Sequence, residues 1–75
     1  MRAIVDGLLY DTDKSELVHI DSITKRRLYR TPGGCFFSMY PNGEIVPKTV
    51  ENTKVYLGEK NVEKYIELFG EVEEA

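Results

Sequence analysis

Two stretches of this chain, Thr31-Pro32-Gly33-Gly34 and Tyr40-Pro41-Asn42-Gly43, repeat the pattern x-Pro-x-Gly, and no other feature limits its fold as strongly. Proline presets the first central position of a type I turn. The closing glycine supplies the left-handed residue of a three-residue hairpin loop with a G1 bulge. Such loops fix register: Thr31 pairs with Cys35, Tyr29 with Phe37, Arg27 with Met39, and Met39 with Ile45. Because side chains alternate, these residues share one face, and Arg26, Leu28, Arg30, Phe36, Ser38, Tyr40 and Val46 share the other.

A third hairpin is predicted at Asp6-Gly7, between the β-prone runs Ala3-Ile4-Val5 and Leu8-Leu9-Tyr10. Both turn positions there demand positive φ, which sets Val5 opposite Leu8 and Ile4 opposite Leu9. Glu16 to Ile20 continues as a short strand, and the strand begun at Glu44 should stop at Pro47, since proline joins a sheet only at an end or edge. The period then changes to 3.6. Thr49 is expected to cap a helix from Val50 to Leu57 stopped by Gly58. Asn61 should cap a second, with Val62, Tyr65, Ile66 and Phe69 on one stripe and Gly70 as its end.

The fold class predicted is α+β: an antiparallel sheet of consecutive hairpins followed by two short C-terminal helices packed on one face. At 75 residues the chain supports a single domain, with the sheet in residues 1–48, the helices in 49–70 and an acidic tail in 71–75. The face with Tyr29, Cys35, Phe37, Met39 and Ile45 is the more apolar, so it is expected to lie under the helices, with Phe69 buried against it. The Phe36 face is then left for solvent or a partner.

Charge and cysteine usage remove several function classes. The net charge is −3, divided as +1 over residues 1–48 and −4 over residues 49–75, which argues against wholesale coating of nucleic acid. One Cys and one His exclude an internal disulfide and a Cys/His zinc site. Cys35 reads as a small core hydrophobe and His19 as a partly exposed strand residue, so no nucleophile and base pair is expected. Asp11-Thr12-Asp13 reads as a turn and not a metal site, and no cofactor is expected. No apolar run approaches the ~20 residues of a membrane span. The N-terminus lacks the apolar stretch of a secretory signal, so a cytoplasmic protein without membrane contact is expected.

One grouping has the character of a binding surface. Lys25, Arg26, Arg27 and Arg30 fall within a short run beside Tyr29, Phe36 and Tyr40. The register sets Arg26 beside Tyr40 and Arg30 beside Phe36, within cation–π reach. The predicted partner-binding residues are Lys25, Arg26, Leu28, Arg30, Phe36 and Tyr40. The acidic helix face around Glu63 and Glu67 is the alternative contact.

Tyr10-Asp11-Thr12, the run Leu28 to Phe37, and Lys64-Tyr65-Ile66-Glu67-Leu68-Phe69-Gly70 with its acidic tail resemble a group of small uncharacterised proteins. Those proteins are carried by phages and other mobile elements of Gram-positive bacteria. The likeness covers most of the chain, rests on structural motifs, and implies no catalytic residues. Genes of this size in such elements often make inhibitors of host defence, anti-CRISPR proteins among them. The resemblance therefore implies a non-enzymatic binding protein that occupies a host protein such as a CRISPR effector or another defence nuclease. The alternative is a small nucleic-acid-binding or regulatory module using the basic aromatic face.

Overall fold

A computed structural model of residues 1–75 has the element order β1 (Arg2–Val5), β2 (Leu8–Asp11), β3 (Glu16–Ile20), β4 (Arg27–Arg30), β5 (Phe36–Met39), β6 (Ile45–Lys48), α1 (Val50–Lys60) and α2 (Val62–Phe69). The strands form an antiparallel β1-β2 pair and an antiparallel four-stranded sheet in the order β3-β4-β5-β6. The α+β layout with two terminal helices is as the turn chemistry and the change of period require.

Each turn has the expected cause. Asp6 and Gly7 both take positive φ, 50° and 78°, and set Val5 opposite Leu8. In the two proline turns the amide of Gly34 donates to the Thr31 carbonyl and that of Gly43 to the Tyr40 carbonyl. These glycines have φ near +90°, in the left-handed region that a side chain disfavours. The register follows: Tyr29 faces Phe37, Arg27 faces Met39, and Met39 faces Ile45.

The layering differs from expectation. Helices α1 and α2 cover the face with Val18, Leu28 and Phe36, where Leu57 is wholly buried and Tyr56, Tyr65, Leu68 and Phe69 close the cluster. Phe69 is half-buried and its ring meets Phe36, not the Tyr29 face, at 5.8 Å. The opposite face is covered by the β1-β2 hairpin. Tyr10 sets its ring edge-on to Phe37 at 5.5 Å, and Tyr29 stacks on Phe37 at 5.1 Å. The physical reason lies in Leu28-Tyr29 and Phe36-Phe37, where large apolar residues are consecutive. Adjacent residues in a strand point to opposite faces, so both faces need cover.

The first hairpin can supply that second cover because the chain turns sharply after it. Asp11 accepts from the Asp13 amide through Oδ1, and its carbonyl accepts from Ser15 Oγ and the Lys14 amide. An isolated two-stranded sheet is marginal in water, so docking on Tyr29 and Phe37 stabilises the hairpin as well as the core.

Three local expectations need correction. Cys35 is exposed, because it sits in the turn ahead of β5 and not within the covered part of the sheet. The last strand runs one residue past Pro47 to Lys48, which is tolerated because β6 is an edge. Helix α1 passes through Gly58 to Lys60, and its stop is Asn61, whose amide donates to the Leu57 carbonyl. The same Asn61 caps α2 by accepting from the Lys64 amide through Oδ1, so one residue joins both helices. The caps at Thr49 and Asn61 and the end of α2 at Gly70 are as expected. No helix is long and apolar enough to cross a membrane.

Phe37 is fully buried between Tyr10 and Tyr29, so Phe37→Ala should cost roughly 3–5 kcal/mol in urea unfolding. The neighbouring change Cys35→Ser, at an exposed turn, should stay within about 0.5 kcal/mol. A comparable loss for both would contradict the assignment of Phe37 to a second core.

Candidate functional site

The loop from β3 to β4 is organised by one carboxylate. Asp21 Oδ1 accepts from the amides of Ile23 and Thr24 at 2.9 and 3.0 Å, and its carbonyl accepts from the Lys25 amide at 2.9 Å. Lys25 takes φ 63° to complete the turn. The Asp21 amide then donates to the Arg26 carbonyl, which delivers Arg26 to the head of β4. The second Asp21 oxygen accepts from the Tyr56 hydroxyl of α1 at 3.1 Å, tying the loop to the helix. The Thr24 and Ile23 amides, with the Tyr56 hydroxyl in support, hold the Asp21 carboxyl at a pKa of about 2, against the opposing effect of its burial.

Arg26 is gripped from both sides. Its guanidinium carbon lies 5.4 Å from the Tyr40 ring centre and 5.6 Å from that of Tyr56, and Nη1 donates to the Tyr40 hydroxyl at 3.3 Å. The Nε–H is buried without a hydrogen-bond partner. The hydrogen bond from Arg26 lowers the pKa of the Tyr40 phenol, with Lys48 adding to the effect. Tyr56 is shifted the other way, upward, first by burial and then by its bond to the Asp21 carboxylate.

Arg26 and Tyr56 border a cleft of about 350 Å³ between α1 and the end of the sheet. Leu28 and Ser38 line it from the strands, Asn52, Thr53, Tyr56 and Glu59 from α1, and Arg26 and Lys48 supply two cations; Arg27 borders it, but its register with Met39 sets its side chain on the opposite face. The chain's single salt bridge joins Lys64 to Glu67 on α2 at 2.9 Å, so neither Arg26 nor Lys48 has a carboxylate at bridging distance. The cleft is thus a small, partly desolvated region of positive charge, with Glu59 its only acid.

The six residues predicted to bind a partner are divided by the structure. Arg26 and Tyr40 are together, as the register implied. Lys25 is exposed in the adjoining loop. Leu28 and Phe36 are only 5% and 3% exposed beneath the helices, so they are core residues and present no surface; the helices occupy their face because Phe37 is already matched by Tyr10. Arg30 is exposed at the far end of β4, in a depression with Lys14 and Glu16, away from Arg26.

Sequence reasoning missed Lys48, Tyr56 and Asp21. Lys48 had a signal, since it pairs with Phe36 and so faces the same way as Ser38 and Tyr40. Tyr56 had none until the face covered by α1 is known. His19 is half-exposed as expected; its Nδ1 accepts from the Asn61 side-chain amide at 3.2 Å, and its ring meets Tyr56 edge-on at 5.7 Å. Comparison of the chain with protein-family models, with curated proteins and with solved structures finds no match.

Two titrations check this geometry. A carboxyl depressed in the folded state contributes stability that is present above the unfolded value and lost as pH falls through the folded one. Asp21 should therefore contribute acid sensitivity between about pH 4, near the ordinary carboxyl value, and about pH 2. Asp21→Asn should lower the melting temperature at neutral pH and flatten its decline over that window; an unchanged acid profile would contradict the assignment. In alkaline absorbance titration, one tyrosine should ionise below the usual phenol range and one above it. Lys48→Ala should return the low one toward its ordinary value, and an unaltered titration curve would remove Lys48 from the cluster.

Proposed function

We propose that the protein is a non-enzymatic binding module that acts by occupying a partner protein, with Arg26 at the centre of the contact. The observation that carries this reading is the holding of Arg26 between Tyr40 and Tyr56, beside a cleft whose cations Arg26 and Lys48 have no carboxylate partner. Interface energy concentrates in Arg and Tyr. A side chain already held loses less rotamer freedom when a partner closes on it. Lys25 and Ile23, the latter 86% exposed at the loop tip, extend the same surface with a charge and an apolar anchor.

The distribution of charge favours a protein over a nucleic acid. Binding a polynucleotide without sequence preference uses a groove of cations that tracks successive phosphates. Here the cations of the cleft are gathered at one end of the sheet, while Arg30 and Lys14 stand at another site beside Glu16. Glu59 is in the cleft wall and the whole chain carries −3. The resemblance to proteins of mobile elements points to the class of partner proposed: a defence nuclease of the bacterial host, a CRISPR effector among them, acting in the cytoplasm and inhibited by occupancy.

Affinity capture from the bacterial host, with and without nuclease digestion, tests this reading. One protein should be retained through digestion and at moderate salt. Arg26→Glu should weaken that binding by about thirtyfold or more, as expected for a contact worth about 2 kcal/mol, while Arg30→Glu should change it little. Circular dichroism confirms that each variant is folded. Retention undiminished by Arg26→Glu would contradict the site. Binding that vanishes on digestion and falls steeply with salt would identify a nucleic-acid module instead.

A further inference from the structure

The cleft beside Arg26 has the chemistry of a receptor for one anionic group, which deepens the reading of this surface as a partner-binding site and rests on it. Arg26 and Lys48 line it without a carboxylate at bridging distance, although the chain has more acids than bases. Arg26 has five N–H donors. One is committed to Tyr40 and the buried Nε–H to nothing, so the guanidinium is under-satisfied where water is partly excluded. Charge interactions strengthen in such a setting. We propose that the cleft accepts a single carboxylate, an Asp or Glu side chain of the partner protein, held by Arg26 and Lys48 with Ser38 at its floor.

Size and charge select this class. A volume of about 350 Å³ holds one acidic side chain and a few waters and does not extend into a track for a polynucleotide. Glu59 in the wall offsets one of the two cations Arg26 and Lys48, which leaves one excess positive charge for a single carboxylate to neutralise and too little for a doubly charged phosphate. The Tyr40 phenol beside the cleft is lowered first by the hydrogen bond from Arg26 and then by the charges of Lys48 and Arg26, whose positive potential it therefore senses. An acid seated between Arg26 and Lys48 would offset that potential, so occupancy should be visible at Tyr40.

Titration of the whole protein with N-acetylglutamate α-methylamide, whose one carboxylate is that of the side chain, followed by NMR at constant ionic strength against sodium chloride, tests the proposal. Saturable shifts are expected at Arg26 Nε–H, Ser38, Asn52 and Thr53, together with a rise in the Tyr40 ionisation toward the ordinary phenol value. Arg26→Gln should weaken this binding about tenfold or more. Lys48→Gln, which leaves the Arg26 clamp in place, should weaken it several-fold, and Lys14→Gln should have no effect. Shifts no larger than those with chloride, or unaltered by Lys48→Gln, would overturn the proposal. Parallel titrations with inorganic phosphate and a short single-stranded oligonucleotide separate the sources: tighter binding of either would reject a carboxylate as the ligand. Because isolated anions are used, this result is independent of partner capture, and capture lost by Arg26→Glu in a protein that binds no anion would strike only the carboxylate assignment.

Discussion

Phe36 and Phe37 stand side by side on β5, and their opposed side chains oblige the sheet to be covered twice. Leu28 and Tyr29 on β4 impose the same demand at the neighbouring positions. Each cover is small. The helices supply Leu57 and the half-buried Tyr65, Leu68 and Phe69 on one side, and the first hairpin supplies Tyr10 and Val5 on the other. Neither cover has a large core of its own, so the central sheet acts as the template on which both are ordered. The arrangement places three layers in a chain whose length would ordinarily support two.

Placing the helices over Phe36 has a consequence at the end of the sheet. Arg26, Ser38, Tyr40 and Lys48 share the Phe36 face, so α1 comes down beside polar and cationic residues at that end. The junction is made by side chains and not by further apolar packing: Asp21 takes the Tyr56 hydroxyl, and Tyr56 and Tyr40 take the Arg26 guanidinium. A fully paired network would have been expected to include a carboxylate against Arg26. Its lack leaves the buried Arg26 Nε–H unsatisfied, at a cost in free energy.

Turn chemistry made the strands legible. The x-Pro-x-Gly repeats specify loop length and therefore register, and Asp-Gly specifies the first hairpin, so the cross-strand pairing of Tyr29, Arg27 and Met39 followed from a few residues. The cap at Thr49 and the stripe of α2 were equally local. The face covered by the helices was not local. Both faces of β4 and β5 are apolar, and the choice depends on where the chain goes after Asp11, a tertiary matter that no period records. That choice decided the candidate site: Arg26 with Tyr40 needed only register and was legible, whereas Leu28 and Phe36 needed the layer order and were misplaced. Tyr56 and Asp21 enter the site only through the same layer order.

The most direct measurement is the set of nuclear Overhauser contacts from the two adjacent phenylalanine rings. The structure requires the Phe37 ring to see Tyr10 and Tyr29, and the Phe36 ring to see Phe69. Contacts from Phe37 to Phe69 or Tyr65, with Phe36 facing solvent, would show the helices on the opposite face and remove the cleft in which Arg26, Lys48 and Tyr56 meet.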